Sequence, residues 1–172
     1  MVSQDNNRRL STPTLERGGR AVIDIKTYVP YFLASVNSAL SRGASKRYLD
    51  TFGIGIVEWR VVAMLAIEPR ITASRVCEVV AMDKGAASRA LTRLLDLGYL
   101  DFEAPARDPR KKIWWLNDNG YRLHDALLTL ALERERQLLS DVAPADLETF
   151  LKVMRVLRRN VDGIDVGLPA NP

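Results

Sequence analysis

Arg107, Arg110, Lys111 and Lys112 place four cations in the six-residue run RDPRKK, with Asp108 its one carboxylate, a local charge of +3. Such a run does no bond-breaking chemistry. Cations this close repel one another unless something anionic lies among them. Duplex DNA supplies that, with one charge per ~1.7 Å of its axis. Asp108 can orient Arg110 or cap the turn, and Arg110 is the side chain expected to enter a minor groove narrowed by A·T-rich sequence. Upstream, Lys84, Ser88, Arg89, Thr92 and Arg93 form the polar set of the segment MDKGAASRALTRLLDLGYL. Short hydroxyls and long cations of this kind hydrogen-bond base edges and phosphates in a major groove.

Two elements must hold these side chains. Ala87, Ala90, Leu91, Leu94 and Leu95 recur at helical spacing opposite the polar set, which predicts a helix ending near Leu97. Asp83 is its N-cap and Gly98 its left-handed C-cap. Gly85, Ala86 and Ala87 keep its first turn slim enough to enter a groove. A strand over about Tyr99 to Ala104 then turns through Pro105 to Arg110 and returns as Lys111 to Leu116. On the return strand Trp114 and Trp115 must face opposite sides. Core packing and stacking on a base are both open to them, and a reader of duplex favours packing.

Ahead of this pair the pattern predicts two short helices. One runs from about Ile56 to Ala66, ended by Glu68-Pro69, and the other from Ala73 to Ala81, capped by Thr72. Three short helices with tight turns, closed by a hairpin, make a winged helix-turn-helix. An earlier helix, about Pro30 to Leu49, carries Phe32, Val36, Leu40 and Ala44 on one face, with Gly43 a point where it can bend or break. Asn117 caps a fifth helix reaching about Ser140. Pro144 opens a sixth, whose stripe of Leu147, Phe150, Leu151, Met154, Leu157 and Val161 cannot stand bare in water.

The bulk numbers narrow the function. A length of 172 residues is one ordinary domain, or a small one with dimerisation appendages. The single Cys77 rules out an internal disulfide framework or a Cys-rich zinc site, and the single His124 a His-pair metal site. No phosphate-cradling glycine loop and no nucleophile–base pair is present, so an enzyme is not expected, nor a cofactor or a metal. The sequence holds no apolar run of the ~18 residues a membrane helix needs. With no secretory signal at the N-terminus, a soluble cytoplasmic protein is expected.

The stretches EWRVVAML, ITASRVCEVVAMDKGAASRALTRLLDLGYL and DPRKKIWWLNDNG resemble the MarR family of bacterial transcription regulators. The resemblance covers roughly residues 28 to 162. Its most specific parts are the helix pattern DKGAASRALTRLLDLGYL and Asp108-x-Arg110, followed by an apolar strand and the helix start Leu116, Asn117, Gly120. The family usually has Thr where this chain has Asn117, and Asn caps as well. The resemblance implies a mainly α fold with a small β-hairpin wing, in which Ser88, Arg89, Thr92 and Arg93 face DNA and Arg110 sits in the wing. It implies a homodimer whose terminal helices interlock on a palindromic operator, acting as a repressor. The division follows: 1–22 a disordered or loosely docked arm, 23–54 an N-terminal dimerisation helix, 55–116 the DNA-binding domain, 117–162 C-terminal dimerisation helices, 163–172 a tail.

Members of that family commonly respond to small anionic aromatics or to oxidants. An oxidant switch needs an activated, exposed thiol. Cys77, in the apolar repeat VCEVV, reads instead as a buried structural residue. For a ligand, a pocket between the first, second and fifth helices could be lined by Tyr28, Tyr31, Phe32, Trp59, Arg60 and His124. A cation among aromatics suits an aromatic acid or its thioester. For each of those residues taken singly, an ordinary core or surface role is the favoured reading. The competing function is a winged-helix module that binds protein without sequence-specific DNA binding.

Overall fold

The computed structural model describes residues 10–108, 111–161 and 163–164. It divides into two compact units, one through Leu127 and one from Leu128 onward.

The first unit opens with a hairpin, β1 (Thr14–Arg17) and β2 (Arg20–Ile23), paired antiparallel with Arg17 opposite Arg20. The reading of residues 1–22 as a disordered or loosely docked arm does not include this hairpin; residues 1–9 lie outside the described residues. The cause is local. Gly18 and Gly19 both have positive φ, 57° and 73°, the backbone that a two-residue hairpin turn demands and that other residues adopt at a cost. The Thr27 hydroxyl donates to the Thr12 carbonyl at 2.5 Å, tying the hairpin to the chain that leads on.

Helix α1 (Val29–Phe52) starts with Pro30 in its first turn, where the missing N–H costs nothing, and runs through Gly43 without a break. Its apolar face emerges toward the N-terminus: Ala44 and Tyr48 are buried, whereas Phe32, Val36 and Leu40 are exposed. Gly53, at φ 71°, ends it in the left-handed conformation. Helix α2 (Ile56–Ile67) brings Val61, Val62 and Leu65 into the core. A two-residue strand, β3 (Ile71–Thr72), leads into α3 (Ala73–Val80), whose start is capped by the Thr72 hydroxyl accepting from the Arg75 N–H at 3.3 Å.

Helix α4 (Lys84–Asp96) follows, with the Asp83 carboxylate accepting from the Ala86 N–H at 2.8 Å. Its buried face is Ala87, Ala90, Leu91 and Leu94, as the spacing predicts. It closes in a Schellman turn: Gly98 N–H bonds Leu95 O at 2.8 Å and Tyr99 N–H bonds Leu94 O at 3.0 Å, with Gly98 at φ 77°.

The wing is β4 (Leu100–Glu103) and β5 (Ile113–Leu116), antiparallel, and β3 adds to the other edge of β5 to give the order β3-β5-β4. Helix α5 (Asp118–Leu138) then begins under an Asn117 cap, whose side-chain oxygen accepts from the Gly120 N–H at 3.0 Å. Gly120 is required here by contact. A Cβ at this position would fall 2.2 Å from the Tyr99 carbonyl oxygen.

The second unit holds the distal part of α5 and α6 (Pro144–Val161). No residue of α6 is buried, and Phe150, Val153, Val156 and Val161 are exposed.

Candidate nucleic-acid interface

Lys84, Ser88, Arg89 and Thr92 all lie exposed on α4, opposite its buried face. The lower part of that face borders a hollow of about 520 Å³. Ser88 and Thr92 form one wall, Thr72 and Ser74 at the start of α3 a second, and Asp108, Lys111 and Lys112 of the wing a third, with Leu91 and Trp114 at the base. The hollow is therefore hydroxyl-lined on the helical side and cationic on the wing side. Sequence reasoning missed Thr72 and Ser74 as members of it. Their only signal was position: hydroxyls in the cap and first turn of the helix before the polar one, where backbone N–H groups also point outward.

The two wing lysines differ. Lys111 is exposed, while the half-buried Lys112 holds its ammonium 4.0 Å from the Phe102 ring centroid and 5.3 Å from that of Trp114. Those rings pack at 5.0 Å, so Lys112 is fixed to the wing's aromatic face. Arg107 is exposed; Arg110 lies outside the described residues. The two tryptophans divide as strand geometry requires. Trp114 is buried, and Trp115 on the opposite face receives the Arg70 guanidinium at 4.4 Å. Arg70 also pairs with Glu103 of β4 at 2.5 Å, bracing the outside of the wing.

Arg89 and Arg93 share a second hollow, of about 660 Å³, with Glu58, Asp96 and Leu97. Arg89 folds back toward the start of its own helix. A Cβ on Gly85 would lie 3.2 Å from its Nη1 and 3.1 Å from Asp83 Oδ1, so the bare glycine leaves room for both. Arg93, expected to face DNA with the rest, is exposed on the same side of α4, but its guanidinium is engaged by the corner between α1 and α2. Its Nη2 donates to the Gly53 carbonyl at 2.9 Å and its Nε stands 3.9 Å from Glu58 Oε1.

Of the expected ligand-pocket residues, the structure joins Trp59 and His124, ring centroids 6.1 Å apart, and adds Tyr48, 6.0 Å from Trp59. His124 Nδ1 lies 3.0 Å from Asp125 Oδ1. Tyr28 is half-buried, and Arg60, Tyr31 and Phe32 are exposed, the last two at 50% and 54%. Tyr48 could have been found from its spacing, one turn beyond Ala44 on the apolar face of α1. Cys77 is half-buried, not fully enclosed; Val76 beside it takes the core position. Among the described residues no group of three or more His, Cys, Asp or Glu could hold a metal ion. No helix among them is long and apolar enough to cross a membrane.

Residues 52–111, from the end of α1 through the wing turn, match the model of the MarR family. That segment is similar to the MarR family of regulators. A MarR/EmrR family transcriptional regulator from Acinetobacter sp. ADP1 is 26% identical and superposes with a TM-score of 0.76, over 83% of this chain and 100% of its own. The PcaV transcriptional regulator from Streptomyces coelicolor, solved with its natural ligand, is 21% identical with a TM-score of 0.69, over 83% and 99%. A MarR transcriptional regulator from Methanosarcina mazei Go1 is 23% identical with a TM-score of 0.67, over 77% and 91%. No curated protein matches the chain in sequence. The superpositions, which span 77% to 83% of the chain, show that it has the fold of these regulators.

Proposed function

We propose that this protein is a homodimeric, sequence-specific regulator that binds a palindromic operator in double-stranded DNA, represses transcription, and is released by a small aromatic acid or its thioester. One observation carries the DNA-binding part: the hydroxyls of α4 and the cations of the wing border the same hollow. Ser88, Arg89 and Lys84 meet base edges and phosphates in the major groove. Arg107, Arg110, Lys111 and Lys112 neutralise phosphate along the adjoining backbone. Thr92, with Thr72 and Ser74, lines the path between them. Residues 23–54 and 117–162 form the dimer interface, a reading supported by the exposed apolar residues of α1 and α6. Two such readers on a two-fold axis meet half-sites ~34 Å apart. The Trp59–His124–Tyr48 cluster, with Arg60 nearby in sequence, is the effector site; PcaV, a structural relative, was solved with its natural ligand.

A gel-shift titration against DNA upstream of its own and neighbouring genes, at several salt concentrations, tests the proposal. A salt-sensitive shift at a palindrome, relieved by an aromatic acid or thioester, is the expected result. No shift at any such site, even in low salt, makes the chain a protein-interaction module instead.

A further inference from the structure

Arg93 reaches back 40 residues to the corner where α1 ends and α2 begins. That corner has an electrostatic need. The last turn of α1 carries no basic residue of its own, although a helix C-terminus presents unsatisfied carbonyls and a partial negative charge. Three residues on, α2 starts with no side-chain cap at Gly55, and Glu58 fills the gap, its Oε2 accepting from the Gly55 N–H at 3.0 Å. The Arg93 guanidinium sits between these two features. Nη2 bonds the carbonyl of the capping residue Gly53, and Nε faces the other oxygen of Glu58, whose side chain is only 17% exposed.

We infer that Arg93 is a positioning residue: with Glu58 it clamps the reading helix α4 to the α1–α2 corner and so sets the pitch at which Ser88 and Arg89 are presented. It is not a contact to DNA. The clamp deepens the proposed function and rests on it for its effect on binding, but the contact itself exists in the free protein. A guanidinium serves where a lysine would not. Its planar fork addresses a carbonyl and a carboxylate on two sides at once, whereas an ammonium is a point charge. The neighbour Arg89 shows the contrast on the same helix face: it turns back toward the start of α4.

The test pairs Arg93→Ala with Glu58→Gln, singly and together. The conservative Gln keeps an oxygen for the Gly55 N–H while losing the charge that faces Arg93. In the DNA-free protein, amide hydrogen exchange across 50–58 and 92–97 should quicken in both single variants. On cognate duplex both should lose affinity by a similar factor, about three- to tenfold, and the double variant should be no worse than either. The salt dependence should stay that of the wild type, because no phosphate contact is removed. The inference is overturned if Arg93→Ala lowers the salt slope by about one unit while Glu58→Gln binds normally, which makes Arg93 a phosphate contact. It is equally overturned if exchange is unchanged in both single variants. A wild-type protein that binds no duplex sinks the proposed function but leaves the exchange result to decide the clamp.

Discussion

Lys111 and Lys112 are neighbours with different work in the wing, and their variants should separate. Lys111→Ala removes an exposed cation. It should reduce the salt slope of DNA binding by about one unit or less and leave thermal stability unchanged. Lys112→Ala also strips a cation from the Phe102 and Trp114 rings, and should cost about 0.5–1 kcal/mol in a urea titration. Equal stability of the two variants would remove the ring contact from the account. Ser88→Ala and Arg89→Ala should instead change which base pairs are preferred, by ~1–3 kcal/mol per lost pairing. Equal losses on cognate and random duplexes would show that neither reads bases. At this scale the sequence was informative about side chains that act where they stand: spacing alone put Ser88, Arg89 and Thr92 on one exposed face. It could not place Arg93, whose partners Gly53 and Glu58 come from a distant part of the chain. Spacing along a helix says which way a side chain starts, not what it finds.

Among the elements, the junction of the wing with α5 is the most constrained. Asn117 caps the helix and donates to the Gly98 carbonyl at 3.1 Å, while Gly120 lies against the Tyr99 carbonyl. Gly120→Ala should therefore destabilise the protein by about 2 kcal/mol or more, seen as a lower urea midpoint. An unchanged midpoint would mean that the strand can yield. Asp83→Ala removes the cap of α4 and should cost about 1 kcal/mol. The distal part of α5 adds a pH response. Hydrogen bonds from Arg136, then from Gln137, hold the Glu133 carboxyl down from 4.5 to about 2. A depressed carboxylate contributes its stability in full above the unfolded value and loses it as pH falls through the folded one. Helix content by circular dichroism should thus decline between pH 4.5 and about 2, and Glu133→Gln should flatten that part of the profile. The elements were largely legible, because caps and periodicity are local: Thr72, Asp83, Gly98 and Asn117 all act as read. The N-terminal hairpin was not. Its Gly18-Gly19 turn lies between two short quartets that resemble a polar tail in composition, and only the paired turn geometry distinguishes them.

For the whole molecule, the apolar faces of α1 and α6 set the expectation of a dimer in solution, checked by sedimentation equilibrium across a dilution series. A monomer at working concentrations would undo the paired-reader proposal. Aromatic acids and their thioesters should raise the melting temperature, and Trp59→Ala should abolish that rise while leaving DNA binding in place. One small detail reaches furthest. Thr72 is the last residue of β3, paired with Ile113 of the wing, and it is also the cap of α3. One residue thus belongs to the sheet and to the helical pair together, with no linker between them. On the proposed function, a duplex laid in the crevice meets two walls joined through this one residue. A groove too wide or too narrow must then be accommodated by distorting the duplex, so sequences differing only in stiffness would be sorted without being touched.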